Sequence, residues 1–528
     1  MKVIPPTKPQ VCERALVERH DYLALFDTSK LLMPISRSWL VACISVCSTA
    51  AGAQGASTVS PPPHFEKTTC AGTLAQDDKA ECGILSVPEN RSSEKSRVIH
   101  LPVVVLHSRA PGAPRDAVLF MTGGPGLSST SNVPTSRDVI FTEDRDYVVL
   151  EQRGAPNADP ALACPEMVAP KSEIAAGRLK GAPAAKALAA AARRCRNRLV
   201  SEGADLAGYT SAETAVDIED LRKGLGYEQW DLYGISYSTR LMLTVAREYP
   251  DRVRSMVLDS VLPLEVNFEE ASAANMIRAL NVVFDRCAVS PGCAHSYGDV
   301  RKKFYDLIRR ADHTPLPLSI TPQEAGGQPP RIAGAEVAKA VYSALHDLTA
   351  IPDLPHIIAE SSRGDYQLLT GLVRKNLGAS GYAWGLRYSV WCSEEFPFED
   401  RNAIAAQVSP AQGLGGLNLG TLPPEVCDAW QVPPASAKEN QPVVSSVPTL
   451  IMAGEFDPDT PPAWGQQLVG SLSRAYFIEL RGRSHVAGYY RCGQQVAAEF
   501  VRHPEKAPAL DCALRARGVE FAAQTRLE

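Results

Sequence analysis

Ser236 stands in Tyr233-Gly234-Ile235-Ser236-Tyr237-Ser238, after the apolar run Trp230–Tyr233 and before a helical stretch over Leu241–Tyr249. A serine hydroxyl is a weak nucleophile until a base takes its proton. Small residues at 234 and 238 permit a tight strand-to-helix turn that lifts the hydroxyl, and the free N–H groups of the following helix favour negative charge there. Alone, the motif equally suits a serine that only caps a helix. Three further segments turn the balance. Thr122-Gly123-Gly124-Pro125-Gly126 follows the apolar run Ala117–Met121, and glycines let backbone N–H groups approach a substrate oxygen. The N–H groups of Gly124 and Tyr237 are the expected oxyanion donors. A phosphate-binding loop would end in Gly-Lys-Ser/Thr, which is absent. Gly454-Glu455-Phe456-Asp457-Pro458-Asp459 is an acidic turn after a strand-like run, and Arg483-Ser484-His485-Val486 is a histidine loop after another. Ser236, His485 and Asp457 then supply nucleophile, base and orienting acid for two-step acyl transfer, which calls for no metal or organic cofactor. Asp459 is the near rival for the acid and Asp259 a more distant one.

These residues need a frame that brings four loops to one edge. The runs Val98–Leu106, Ala117–Met121, Tyr147–Leu150, Trp230–Tyr233, Ser255–Leu258, Thr449–Ala453 and Ala475–Leu480 are short and apolar, as in strands buried on both faces. Helical stretches such as Ala184–Leu199 and Thr214–Leu225 alternate with them, which predicts an α/β fold with a mostly parallel sheet flanked by helices. The order serine, acid, histidine along the chain is that of an α/β-hydrolase fold. Between about Leu264 and Val443 the alternation stops and helical segments take over (Ala271–Arg286, Val300–Ala311, Gly334–Leu348). The expected organisation is a core over 64–264 and 443–528, with an inserted helical cap or lid over 265–442 at the strands' carboxyl ends.

The chain has 528 residues, 45% hydrophobic and 21% charged, with a formal charge of −5. That balance describes a globular protein with a second domain or large insertion, and it lacks the basic footprint of a nucleic-acid or anionic-membrane binder. Arg37, a short apolar run from Trp39 to Cys47 and the small residues Ala51-Gly52-Ala53 form a signal-peptide pattern, with cleavage expected near Ala53. The run is too short for a stable membrane span. Residues 1–32 precede it as an extension, and Met33 is where an ordinary signal would start. Anchoring of a lipid at Cys43 is the lesser alternative. Of 13 cysteines, Cys12, Cys43 and Cys47 fall in the segment removed, leaving ten. An even set in an exported, secreted or periplasmic protein reads as disulfides, most simply 70–82, 164–195, 287–293, 392–427 and 492–512. No C-x-x-C or H-x-x-x-H cluster supports a metal site.

With these residues in hand the chain resembles the proline iminopeptidase and tripeptidyl aminopeptidase family of α/β-hydrolases. Gly123-Gly124-Pro125-Gly126, Glu151-Gln152-Arg153-Gly154, Gly234-Ile235-Ser236-Tyr237, Val257-Leu258-Asp259-Ser260-Val261 and Gly454–Pro461 carry the resemblance. Glu151 in place of Asp, Thr122 in place of His and Ser238 in place of Gly are departures. The resemblance implies hydrolysis of amide bonds near a peptide's free N-terminus, with a carboxylesterase using the same three residues as the alternative. It also implies cap-domain glutamates that hold the substrate ammonium, for which Glu394 and Glu395 are the candidates, and an Arg153 that braces the oxyanion loop. The expected partner is a peptide or small ester; the oligomeric state is left open.

Overall fold

A computed structural model describes residues 62–377, 381–407, 422–516 and 518–521. The expected extension, signal peptide and cleavage point lie outside these residues. Nine strands form one sheet: β1 (His64–Thr68), β2 (Ala80–Pro88), β3 (Val98–Leu106), β4 (Asp116–Met121), β5 (Asp146–Leu150), β6 (Gln229–Ile235), β7 (Val253–Asp259), β8 (Thr449–Gly454) and β9 (Ala475–Leu480). Their order is β1-β2-β3-β5-β4-β6-β7-β8-β9. The pairs β1/β2, β2/β3 and β3/β5 are antiparallel, and every pair from β5/β4 onward is parallel. The sheet is therefore mostly parallel, as the apolar runs predicted. β6 is almost entirely buried because it lies mid-sheet between β4 and β7, with helices against its faces.

The parallel register explains the site's location. Strands β4, β6, β7 and β8 all point the same way, so the loops that follow them open on one edge. Those loops begin at Thr122, Ser236, Ser260 and Glu455.

The segment between β7 and β8 is helical among its described residues, but its packing is divided. Met276, Leu280, Phe284, Phe304, Leu345 and Ile358 belong to a hydrophobic cluster separate from the main core. Tyr388, Trp391 and Trp430 instead pack into the main core with strands β3, β4 and β6. Five disulfides join Cys70–Cys82, Cys164–Cys195, Cys287–Cys293, Cys392–Cys427 and Cys492–Cys512, the nearest-neighbour pairing. Among the described residues no helix is long and apolar enough to cross a membrane.

Candidate active site

β6 ends at Ile235 and the helix Tyr237–Glu248 begins two residues later, so the chain must reverse at Ser236. Ser236 takes φ 55° and ψ −129°, a conformation that costs an L-residue on the order of 1–3 kcal/mol unless its surroundings hold it. They do. The Ser236 N–H donates to the Asp259 carbonyl at 2.9 Å, and Thr239 N–H donates to the Ser236 carbonyl at 3.0 Å. Ser238, the departure from glycine, is put to use: its hydroxyl receives the Ile235 N–H at 2.9 Å and donates to the Met121 carbonyl at 2.6 Å. The serine thereby ties the turn to the end of β4.

Glycine is required on both sides of the turn. A Cβ at Gly123 would come within 2.6 Å of Ser236 Cβ, and one at Gly234 within 2.7 Å of the Ser238 carbonyl oxygen. The loop that follows β4 therefore lies against the serine itself. Tyr237 opens its helix, so its N–H has no intrahelical acceptor. The Tyr237 hydroxyl is fixed below by Gln152 Nε2 at 3.2 Å and Ser211 Oγ at 2.8 Å.

Asp457 and His485 meet across the ends of β8 and β9. His485 Nδ1 lies 3.0 Å from Asp457 Oδ2 and 3.1 Å from Oδ1, and a carboxylate can only accept, so Nδ1 carries the proton. Asp457 also accepts from the N–H groups of Asp459 (2.9 Å) and Thr460 (2.8 Å) and from Thr460 Oγ1 (2.8 Å). Burial alone would push Asp457 up, but the charge and hydrogen bond of His485 hold it below the usual carboxylate range. Burial likewise pulls His485 down, and the opposing charge and hydrogen bond of Asp457 outweigh it, leaving the imidazole at about 9.

Asp259, the distant rival for the acid, connects the two halves. Its backbone pairs with the serine turn, while its buried carboxylate accepts the N–H groups of Ala487 (3.0 Å) and Gly488 (2.6 Å), just past His485. Val486 N–H donates to Ser260 Oγ at 2.8 Å, with Val486 at φ 61° and Ser260 at φ 57°. A branched residue at positive φ is a true outlier, so the histidine loop is held under strain by these bonds. Asp259 acts as a brace between loops.

Asp459 faces a different partner. Its carboxylate accepts from His346 Nε2 at 2.8 Å and from the Tyr342 hydroxyl, both from the helical insertion. The His346 ring stands edge-on to His485 with centroids 5.7 Å apart. From the same insertion, Arg278 donates to the Asp457 carbonyl at 2.5 Å and to the Glu455 carbonyl at 3.1 Å, and Asn275 donates to the Asp459 carbonyl at 3.0 Å. Arg387 Nη1 donates to the Gly124 carbonyl at 2.7 Å, and Ala383 N–H to the Gly126 carbonyl at 2.9 Å. The insertion thus grips both the loop after β8 and the glycine loop after β4. Sequence reasoning missed these contacts because they join positions more than a hundred residues apart.

Three expectations change. Glu394 and Glu395 are each 1% exposed and engaged internally. Glu394 accepts from Ser211 N–H at 2.6 Å and Ser211 Oγ at 2.5 Å, which supports the Tyr237 hydroxyl. Glu395 accepts from Arg240 and from Phe268 N–H at 3.1 Å. Neither carboxylate is open to a substrate ammonium. Arg153 is structural but braces another place: it bonds Asp217 at 2.6 and 2.7 Å and the carbonyls of Glu89 and Gly208. Glu151 instead braces the segment just after the glycine loop, accepting from Ser128 Oγ (2.9 Å), Thr130 N–H (2.9 Å) and Asn157 N–H (3.0 Å).

The Arg240–Glu395 pair is buried on both sides, so removing one charge leaves the other uncompensated. Glu395→Gln is expected to lower unfolding free energy by about 3–5 kcal/mol, read as a fall in the urea midpoint. A midpoint within error of the parent would show that the pair carries no such weight.

Residues 116–490 match the family model described as alpha/beta hydrolase fold. The chain is 24% identical over 455 residues to the serine protease Hip1 of Mycobacterium tuberculosis, spanning 80% of this chain and 84% of that protein. It is 22% identical over 465 residues to the putative hydrolase YuaR of Escherichia coli, spanning 82% of this chain and 87% of that protein. A 209-residue stretch is 28% identical to the tripeptidyl aminopeptidase of Streptomyces coelicolor, 37% of each chain.

Proposed function

Because this chain belongs to the alpha/beta hydrolase fold family and is a serine hydrolase, we propose that it is an exported peptidase releasing residues or short peptides from substrate N-termini through an acyl-enzyme on Ser236. The observation that carries this reading is the bond from His485 Nδ1 to Asp457, in a loop that Asp259 ties to the Ser236 turn. Peptidase relatives favour an amide substrate, and five disulfides favour an oxidising compartment.

In the proposed cycle His485 Nε2 accepts the Ser236 proton as Oγ attacks the carbonyl carbon. The Gly124 and Tyr237 N–H groups receive the oxyanion. His485 then returns the proton to the departing amine, and water repeats the sequence to free the acid. Asp457 holds the Nδ1–H tautomer and stabilises the imidazolium that forms in both halves.

The test is turnover of aminoacyl anilides, tripeptidyl anilides and short acyl esters by the mature protein. Anilide cleavage releasing an N-terminal unit supports the proposal; turnover of esters alone contradicts it.

The raised imidazole sets a pH dependence. His485 serves as base only when neutral, so kcat/KM is expected to rise with pH along a limb centred near 9. For stability the sign is opposite. A folded value of about 9 against an ordinary value near 6.5 gives a contribution present in full below about 6.5 and lost as pH rises through about 9. A limb at the ordinary imidazole value would contradict the pairing.

A further inference from the structure

The helix Phe268–Val289 opens the insertion, and three of its polar side chains, Asn275, Arg278 and Arg286, share one face. That face meets the loop after β8, residues 455–459. Arg278 Nη2 donates to the Asp457 carbonyl at 2.5 Å and Nη1 to the Glu455 carbonyl at 3.1 Å. Asn275 donates to the Asp459 carbonyl at 3.0 Å, and Arg286 Nε to Glu455 Oε1 at 2.6 Å. Phe456, between the two carbonyls that Arg278 takes, is fully buried and packs into the insertion's hydrophobic cluster.

The core holds the same loop by its N–H groups. Glu455 N–H donates to the Leu480 carbonyl at 3.3 Å, Phe456 N–H to the Arg483 carbonyl at 2.8 Å and Asp457 N–H to the Gly454 carbonyl at 3.2 Å. Gly482 N–H donates to Glu455 Oε2 at 2.8 Å. The loop is therefore shared: the core fixes its donors, and the insertion fixes its carbonyls and its phenylalanine.

Asp457 is fully buried, so a carbonyl that loses its donor there has no water to replace it. Its carboxylate meets His485 Nδ1 and three donors from Asp459 and Thr460, while its peptide meets Arg278. A guanidinium presents its N–H groups as a planar fork. One side chain thereby fixes two carbonyls and, with them, the path of the backbone through Asp457.

Resting on the serine-hydrolase reading above, we propose that Arg278 is a positioning residue, holding the backbone of Asp457 so that its carboxylate meets His485. The alternative is that Arg278 only ties the insertion to the core. Arg310 makes a tie of that kind inside the insertion, donating to the carbonyls of Ser361 and Ser362 at 2.7 and 3.0 Å. Cutting such a tie costs stability but leaves Asp457 against His485. A misplaced acid costs rate, on the order of 10²-fold for a shift of about 1 Å.

The experiment measures turnover of a peptide anilide against pH, and the urea midpoint, for the parent, Arg278→Gln, Arg278→Lys and Arg310→Gln. Arg278→Gln is expected to lower kcat by roughly 10- to 100-fold, with KM within about threefold of the parent. Its kcat/KM limb should also move down from about 9 towards the ordinary imidazole value. Burial lowers His485, and Asp457 is the largest charge opposing it; Asp459 and Asp259 keep carboxylate partners of their own. Losing the Arg278 charge without moving Asp457 would shift the limb up instead, so the direction separates position from charge. Arg278→Lys reaches one carbonyl at a time and should fall between, losing about threefold to tenfold in kcat with a smaller downward shift. Arg310→Gln should lower the urea midpoint and leave kcat and the limb at parental values.

A kcat for Arg278→Gln within about threefold of the parent overturns the proposal, as does a limb that stays near 9 or rises. Equal changes in Arg310→Gln overturn it too. If Arg278→Gln does not fold, Arg278→Lys decides by the same two readouts, and parental values there overturn the positioning role. Failure of a fluorophosphonate to label Ser236 in the parent overturns the serine-hydrolase reading, and the positioning role with it.

Discussion

Replacement of Ser236 by alanine is expected to lower kcat by on the order of 10⁶-fold while leaving the fold intact. The serine is half-buried at the end of a central strand, and the bonds that hold its turn come from backbone atoms and from Ser238, none of which the substitution removes. The oxyanion donors and the binding surface also remain, so a residual rate roughly 10³-fold over water is expected. Steady-state turnover of a peptide anilide, with circular dichroism on the same sample, checks both halves. A variant with more than about a tenth of parental kcat would remove Ser236 from the chemistry.

Asp457→Asn is expected to cost about 10⁴-fold in kcat, against less than about tenfold for Asp459→Asn. Both residues sit in one acidic turn, and the turn's own sequence does not distinguish them. Their partners do. Asp457 receives His485 Nδ1 together with three donors from residues 459 and 460, so an amide in its place presents an N–H where an acceptor is needed. The imidazole would then lose its orientation and the stabilisation of its charged form. Asp459 instead receives His346 and Tyr342 from the insertion, and its loss acts on His485 only through a more distant charge. The pH limb offers a second reading, since Asp457→Asn should move it down from about 9 towards the ordinary imidazole value. Equal losses in the two variants would contradict this division of roles.

The contrast between these two aspartates shows where sequence reading stops. The positions of Ser236, Asp457 and His485 at strand ends were legible because each follows an apolar strand whose type and length are encoded locally. The parallel core was legible for the same reason, and the structure adds only β1 and β2. Those two escaped notice because β1, His-Phe-Glu-Lys-Thr, is an exposed edge strand with no buried face, and β2 alternates small and polar residues with apolar ones. Glu394 and Glu395 show the opposite failure. A pair of glutamates in a helical segment looks like surface charge or a ligand site, and only the fold reveals that Ser211 and Arg240 come to meet them. Asp259 looked like a spare acid, yet its place at the end of β7 makes it the brace between the serine turn and the histidine loop. Local pattern specified the elements that carry chemistry. Contacts between distant segments decided which charged groups are free to use it.

The most direct measurement is covalent capture of the nucleophile. The native protein is treated with a fluorophosphonate, digested, and mapped by mass spectrometry. A single adduct on the peptide containing Ser236 is expected, forming faster as pH rises through the His485 limb and absent from Ser236→Ala. An unlabelled native protein, or an adduct that persists in Ser236→Ala, would contradict the assignment of Ser236 as the nucleophile.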